Sequence, residues 1–157
     1  MKPLIISVVG KSKVGKTTLI EKIICEFKNR KYKVGSVKHT YHDINIDWDG
    51  KDSSKHKNAG AEVVIVASPN KLFMIKDGNF ESIENIICYF QGMDIVFVEG
   101  YKKENIPKIV VLNIEDKNYG KEFDEVIAFF DNSSQDINYL FDLIEKNIYE
   151  YRQRKSF

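Results

Sequence analysis

The segment from Gly10 to Thr17, GKSKVGKT, constrains the fold of this chain more than any other feature. It matches the phosphate-binding pattern G-x-x-x-x-G-K-[ST] in full. Average residue usage predicts a chance match in roughly half a per cent of chains this long. The match begins where a short apolar run, residues 4–9, ends, and it leads into apolar positions at helical spacing over residues 16–30. A strand, a glycine-rich turn and a helix in this order are the context that phosphate binding requires.

Short apolar runs rich in β-branched residues predict further strands. They cover residues 34–38, 62–67, 71–75, 94–98, 108–112 and 126–130. We expect the third strand, 62–67, to be buried, with 71–75 as its hairpin arm, and helices over 82–90 and 137–148. The alternation predicts an α/β fold with a mostly parallel sheet flanked by helices, a P-loop NTPase-like three-layer α/β/α arrangement. The 157 residues contain no linker or repeat, which predicts a single nucleotide-binding domain over residues 1–157.

The glycine-rich segment predicts a cradle for the phosphates of a nucleoside triphosphate. Gly10 and Gly15 let the backbone fold into a nest of N–H groups, and the N-terminus of the following helix adds positive charge. Lys16 can reach the β- and γ-phosphates as the catalytic cation, Thr17 can ligate Mg²⁺, and Thr18 can contact the α-phosphate. The predicted phosphate-binding residues are Gly10, Lys11, Ser12, Lys13, Val14, Gly15, Lys16, Thr17 and Thr18.

A P-loop also needs an acidic residue on a neighbouring strand to hold the metal. The segment DIVFVEG, residues 94–100, offers Asp94 at the start of a strand and Glu99 just beyond its end. Ligands of open parallel sheets bind at the carboxyl ends of the strands. We therefore predict that Glu99 is a catalytic and metal-binding residue and that Asp94 is a solvated strand-start residue. Gly100 would let the backbone pass close to the nucleotide.

The polar stretch from residue 39 to residue 54 predicts a functional loop. Asp47 and Asp52 could approach the γ-phosphate and Mg²⁺ as a switch segment. The three histidines of the chain lie in or beside this stretch: His39, His42 and His56. A transition-metal site is therefore an alternative, although no cysteine pair supports it. A merely solvated loop is the other interpretation.

Composition limits the partners and the compartment. Lys and Arg number 24 against 23 Asp and Glu, so the overall charge gives no reason to expect nucleic acid or an anionic membrane as a partner. The apolar run at the N-terminus is too short for a signal peptide, and no segment approaches the length of a membrane span. Cys25 and Cys88 lie in apolar helical patterns, which predicts buried, reduced thiols and a cytoplasmic protein.

Taken together, the motifs resemble the molybdopterin-guanine dinucleotide biosynthesis protein B family. Beyond the P-loop, the resemblance rests on four blocks: VKH at 37–39 with His42, D-x-x-GKDS at 47–53 leading to AGA at 59–61, VEGYK at 98–102, and PKI at 107–109. The resemblance covers residues 4–112. One departure is Lys13, where many members carry a small residue.

The resemblance implies a small, cytoplasmic, homodimeric GTP-binding protein with weak Mg²⁺-dependent hydrolysis. Such proteins assist the guanylyltransferase that joins GMP to molybdopterin, and whether molybdopterin itself binds them is open. By similarity, residues 11–18 would cradle GTP, and Asp47, Asp52 and Glu99 would lie near its metal or γ-phosphate. His39 and Lys102 are motif positions without an assigned role.

Two other functions stay open from the sequence. A small-molecule kinase would need an arginine-bearing lid, and the arginines lie away from any lid-like segment: Arg30, Arg152 and Arg154. A metallochaperone-type GTPase would be supported only by the histidines. The guanine preference comes from the resemblance, because NKLF at 70–73 lacks the final aspartate of a guanine-reading motif. Asp131 and Asn132, past the last strand, suit either a turn or a contact to a base.

Overall fold

Strands and helices alternate along the chain in the computed structural model. The structure describes residues 2–42, 44, 51–113, 118–132 and 135–154. The elements are β1 (Leu4–Val9), α1 (Lys16–Asn29), β2 (Val34–Lys38), α2 (Asp52–Asn58), β3 (Val63–Ala67), β4 (Leu72–Lys76), α3 (Glu84–Ile87) with a 3₁₀ turn (Cys88–Phe90), β5 (Ile95–Glu99), β6 (Lys108–Leu112), β7 (Val126–Asp131) and α4 (Ile137–Arg154). The chain forms two compact units, one of residues 1–39 and 81–157 and the other of residues 40–80. The single-domain organisation stays a prediction.

The first unit is built on a sheet of five parallel strands in the order β2-β5-β1-β6-β7. The register aligns Val8 of β1 with Glu99 of β5, and Glu99 with Lys38 of β2. Because every pairing in this sheet is parallel, the carboxyl ends of all five strands lie at one edge. The glycine-rich segment follows β1 at the centre of that edge.

Helices α1 and α4 cover one face of the sheet. Each buries a stripe of apolar residues three or four positions apart: Leu19, Ile20, Ile23 and Phe27 on α1, and Leu140, Phe141, Ile144 and Ile148 on α4. Phe27 lies between the layers, with its ring centroid 6.1 Å from that of Phe97 in β5 and 6.5 Å from that of Phe141. The larger of the two apolar clusters lies on this side of the sheet. Burying one such side chain contributes about 1.5–3 kcal/mol.

The opposite face carries a smaller apolar cluster. Ile83, just before α3, packs with Val96 and Val98 of β5 and with Tyr101. Partly buried residues of α3 and the 3₁₀ turn, including Ile86 and Phe90, extend the cluster. Helices therefore lie on both sides of a parallel sheet, and the predicted three-layer α/β/α fold is confirmed.

The second unit contains α2 and an antiparallel hairpin of β3 and β4. The pairing of residues 62–67 with 71–75 was predicted, but the expectation of a buried strand was wrong. In β3 only Val64 is buried, whereas Ile65 is 53% exposed and Leu72 of β4 is 66% exposed. A continuous apolar run does not distinguish a strand covered on both faces from a hairpin covered on part of one face.

The expectation of buried cysteines was also wrong, because Cys25 and Cys88 are both exposed. Cys25 lies two positions after Ile23, off the stripe that α1 buries. In both segments the apolar residues cover more of the helix circumference than the part that packs against the sheet. No helix among the described residues is both long and apolar enough to cross a bilayer.

Candidate functional site

The glycine-rich segment forms a tight turn between β1 and α1. A Cβ atom on Gly10 would lie 2.8 Å from the carbonyl oxygen of Val111 and 2.8 Å from Cγ2 of Val14, so only glycine fits there. Gly15 is the N-cap of α1 and has φ of 88°, a left-handed conformation that glycine adopts without strain. The first turn of α1 contains no acidic residue. The N–H groups that open this helix are therefore available to an external anion.

Lys16 lies at the start of α1 with its ammonium group against the turn. Its Nζ donates to the carbonyl oxygen of Lys11 at 2.6 Å. Burial lowers the pKa of Lys16, the Glu99 carboxylate opposes the shift, and the ammonium groups of Lys102 and Lys38 lower it further. Lys16 therefore lies near two other ammonium groups and one carboxylate, an excess of positive charge that suits an anionic ligand.

Thr17 and Glu99 meet beside the turn. The Thr17 hydroxyl donates to Glu99 Oε2 at 2.9 Å, and Lys38 Nζ lies 3.9 Å from Glu99 Oε1. The Glu99 side chain is 16% exposed, so an approaching ligand can reach it. A hydroxyl and a carboxylate oxygen could hold Mg²⁺, which usually takes only one or two protein ligands and completes its shell with water and phosphate oxygens.

Asp94, the other acidic residue of this strand region, lies at the opposite edge of the sheet. It accepts a hydrogen bond from the Lys33 backbone N–H at 2.7 Å and forms an ion pair with Arg152 of α4. Asp94 therefore joins the N-terminal end of β5 to α4, and Glu99 alone of the two lies at the glycine-rich turn.

Gly100 is held close to neighbouring backbone and side chains. Its φ is 109°, and a Cβ atom there would lie 3.1 Å from Cβ of His39. The buried hydroxyl of Ser7 in β1 donates to the Gly100 carbonyl oxygen. Tyr101, with φ of 53°, has its ring centroid 4.3 Å from that of His39, with the two rings tilted by 41°. His39 thus packs against the segment that carries Glu99.

The remaining predicted site residues fall elsewhere. Asp47 lies outside the described residues. Asp52 begins α2 in the second unit, where it accepts from Lys55 at 3.0 Å, and its part in a switch segment stays a prediction. The described residues contain no group of three His, Cys, Asp or Glu side chains placed to hold a metal, so the transition-metal alternative gains no support from them.

Sequence reasoning missed Lys38 and Ser7 at this edge, and it offered Asn132 only as a turn residue or as a contact to a base. Lys38 ends β2 beside Glu99, Ser7 anchors Gly100, and the Asn132 side-chain amide donates to the Val14 carbonyl oxygen at 3.1 Å. The strand order was the missing information, since each contact joins segments that are far apart in sequence. Polar residues at the predicted carboxyl ends of β2 and β7 were the available signal.

A cleft of about 820 Å³ lies on the same unit, lined by residues 102–105, 108 and 122–125. Lys102 lines it and places its Nζ 5.7 Å from the centre of the Tyr119 ring. Lys108 is almost fully buried beneath it, and its Nζ donates to the carbonyl oxygens of Glu104, Ile106 and Asp124 at 2.6, 3.1 and 3.3 Å. Lys108 therefore joins the connection between β5 and β6 to the segment that leads into β7.

Comparison with known proteins finds relatives that match most of this chain. A relative from Methanocaldococcus jannaschii is 35% identical over 151 residues, which cover 93% of this chain and 61% of that protein. The molybdopterin-guanine dinucleotide biosynthesis adapter protein of Haemophilus influenzae is 36% identical over 126 residues, covering 78% of this chain and 71% of that protein. This chain thus spans about three fifths of the length of its archaeal relative.

Solved structures and a family model agree with these relatives. A crystal structure of molybdopterin-guanine biosynthesis protein B superposes with a TM-score of 0.71 at 27% identity, covering 92% of this chain and 99% of that one. The family model described as molybdopterin guanine dinucleotide synthesis protein B matches residues 5–132, which include all of β1 except Leu4, the glycine-rich turn, Glu99 and Asn132. This chain belongs to the molybdopterin guanine dinucleotide synthesis protein B family.

Proposed function

We propose that this chain binds GTP with Mg²⁺ at residues 10–18 and acts as an adapter protein in the formation of molybdopterin guanine dinucleotide. The observation that carries the nucleotide site is the 2.9 Å contact between Thr17 and Glu99 at the mouth of the turn, with Lys16 beside it. This arrangement supplies what a triphosphate with its metal requires: amides, an ammonium group and two oxygen ligands. The pathway comes from the family and from the names of its relatives.

The chemistry that these residues support is mostly positioning. The backbone amides and Lys16 would hold the phosphates, and Lys16 would offset charge that develops on the γ-phosphate as a water attacks in line. Thr17 and Glu99 would hold Mg²⁺, which neutralises phosphate charge when it is bound. Because Glu99 is engaged by the Thr17 hydroxyl, it is poorly placed to orient the attacking water, and we expect slow hydrolysis.

The guanine preference rests on the family alone, so it needs a direct measurement. Calorimetry with GTP and with ATP, each with Mg²⁺, should give binding for GTP and weaker or no binding for ATP. Lys16→Ala should weaken GTP binding by about a hundredfold, since hydrogen bonds to charged groups contribute about 1.5–3 kcal/mol each. Lys22→Ala, an exposed lysine on α1, is the matched control and should bind normally. Unchanged GTP affinity in Lys16→Ala would contradict the assignment.

The partner of an adapter in this pathway would be the guanylyltransferase that joins GMP to molybdopterin. We expect the chain to bind that enzyme and to change its rate only when the nucleotide site is intact. The assay compares the rate of dinucleotide formation with wild-type chain, with Lys16→Ala and with no chain added. A second titration with molybdopterin alone tests whether the chain binds it directly. Equal stimulation by Lys16→Ala would separate the adapter role from GTP binding.

The homodimer implied by the family is supported by the exposed face of the hairpin in the second unit. Ile65 pairs with Met74, and the neighbouring pairs on the same face join Val63 to Lys76 and Ala67 to Leu72. A two-stranded hairpin with such a face is marginally stable unless something covers it. Sedimentation should therefore find a dimer for the wild type and a monomer for Ile65→Lys. Tyr139→Lys, at an exposed aromatic residue of α4, should remain dimeric; a monomeric wild type would contradict the proposal.

A further inference from the structure

Asn132, the residue that follows β7, is in contact with the glycine-rich turn although the two are far apart in sequence. Its side-chain nitrogen Nδ2 donates to the Val14 carbonyl oxygen at 3.1 Å, a separation of 118 residues. The same atom lies 2.7 Å from the position that a Cβ atom on Gly15 would occupy. Asn132 therefore lies directly against the peptide group that joins Val14 to Gly15.

The sheet explains how Asn132 arrives there. Strands β6 and β7 pair in parallel up to Leu112 and Asp131, so both end at the edge that carries the turn. A Cβ atom on Gly10 would lie 2.8 Å from the carbonyl oxygen of Val111 in β6. The turn is thus bordered by β6 at its first glycine and by the end of β7 at its second.

The contact fixes the orientation of the Asn132 side-chain amide and of the peptide group between Val14 and Gly15. A carbonyl oxygen only accepts hydrogen bonds, so the nitrogen of the Asn132 amide must face Val14. The peptide between Val14 and Gly15 is planar, as all ordinary peptide bonds are, and in a trans peptide the N–H points opposite to the C=O. Holding the Val14 carbonyl therefore also sets the direction of the Gly15 N–H, on the far side of the same plane.

We propose that Asn132 is a positioning residue: it holds the Val14–Gly15 peptide so that the Gly15 N–H faces a bound phosphate. The inference rests on the proposed nucleotide site and deepens it. Gly15 is the N-cap of α1 with φ of 88°, which is one of several conformations that a glycine adopts in a free chain. A hydrogen bond from a distant strand keeps this peptide in place before any ligand arrives, so the ligand need not order it.

A base contact is the competing role for Asn132, and the two roles predict different ligand dependence. A residue that orients the Gly15 N–H acts on the phosphates and should affect every polyphosphate equally. A residue that reads a base should affect GTP and leave inorganic tripolyphosphate unaffected. Asn132→Ala removes the amide without adding charge, and because the side chain is exposed, the variant should fold.

The experiment measures hydrogen exchange over residues 10–18 in the nucleotide-free protein and the affinity for GTP and for tripolyphosphate, both with Mg²⁺. For Asn132→Ala we expect exchange to be faster by about threefold to tenfold and both affinities to fall by a similar factor, as the loss of one hydrogen bond predicts. Asn132→Gln, which keeps the amide, should recover part of each effect. The control Asn147→Ala removes an amide that donates to the Leu143 carbonyl oxygen in α4 and should change neither measurement.

Two results would overturn the positioning role. One is unchanged exchange with unchanged affinities in Asn132→Ala, and the other is a loss of GTP affinity with tripolyphosphate affinity and exchange unaltered. If the wild type binds neither ligand, the proposed nucleotide site fails, and the exchange measurement still decides whether Asn132 holds the turn.

Discussion

Replacing Glu99 by Gln should change nucleotide affinity in opposite directions with and without Mg²⁺. The substitution keeps an oxygen that can accept from the Thr17 hydroxyl, 2.9 Å away, but removes the negative charge. Without metal, that charge repels the phosphates, so its loss should strengthen binding. With metal, the carboxylate attracts the cation, so its loss should weaken binding.

The geometry sets the size of both effects. A phosphate oxygen on the far side of the Thr17 hydroxyl would lie about 6 Å from the Glu99 carboxylate, and at an effective dielectric constant of about 40 the repulsion between two unit charges there is about 1.4 kcal/mol. That energy corresponds to about tenfold tighter binding of metal-free nucleotide by Glu99→Gln. Loss of a group that ligates or orients a metal's shell typically costs about tenfold to a hundredfold in metal affinity. The enhancement of nucleotide binding by Mg²⁺ should therefore fall by about tenfold to a hundredfold.

Titration with a fluorescent GTP analogue, in EDTA and in Mg²⁺, measures both affinities for the wild type and for Glu99→Gln. Glu150→Gln is the matched control, because Glu150 is a partly exposed carboxylate near the far end of α4 with only Lys146 at 3.9 Å as its described ion-pair partner. Thermal unfolding checks that all three proteins are folded. If Glu99→Gln weakens binding equally under both conditions, Glu99 acts by supporting Thr17 and the turn, and its assignment as a metal-binding residue is refuted.

Two further substitutions test the scaffold. Lys108→Met removes the donor to three backbone carbonyls and should lower the free energy of unfolding by about 2–4 kcal/mol in urea titrations. Burial lowers the pKa of Lys108 in the folded chain below its value in the unfolded chain. The folded chain therefore loses this proton at a lower pH, and the free energy of unfolding should rise with pH between the two pKa values. Lys108→Met should lack this rise. Gly35→Ala should cost about 1–3 kcal/mol in the same titrations, because the new Cβ atom would lie 2.5 Å from Cδ1 of Phe90. Wild-type stability in either variant would contradict the packing described here.

The local part of the site could be predicted because its signals are contiguous. The apolar run before Gly10, the glycine spacing and the helical stripe after Lys16 all lie within one stretch of sequence, and the strand–turn–helix unit follows from them. The choice of Glu99 over Asp94 required only the rule that ligands bind at the carboxyl ends of parallel strands. The structure places Glu99 beside the glycine-rich turn and Asp94 at the opposite edge of the sheet, and the metal-binding role of Glu99 stays a prediction.

The rest depended on information that periodicity does not carry. Lys38 reaches Glu99 because β2 pairs with β5, and Asn132 reaches Val14 because β6 lies between β1 and β7. Neither the β2–β5 pairing nor the β1–β6 pairing follows from chain order. The misassigned strand has a different cause. The apolar residues of β3 occupy both faces of a two-stranded hairpin, a pattern that in a longer sheet would signal burial on both sides.

Two residues at the site combine an unusual backbone conformation with neighbouring contacts that hold it, and two others with positive φ, Lys31 and Glu125, lie elsewhere. Lys13 and Tyr101 have positive φ, 62° and 53°, and a left-handed conformation costs a residue with a side chain about 1–2 kcal/mol. Lys13 precedes Val14, whose carbonyl oxygen accepts from Asn132, and Tyr101 follows Gly100, whose carbonyl oxygen accepts from Ser7. Each of these two residues is thus next to a peptide group whose carbonyl oxygen accepts a hydrogen bond from a side chain that is distant in sequence. Such strain persists only where surrounding structure determines the backbone, and here the determining contacts come from β1 and the end of β7. The sheet therefore imposes the shape of both segments on the site, and we expect that shape to be largely present before a nucleotide binds.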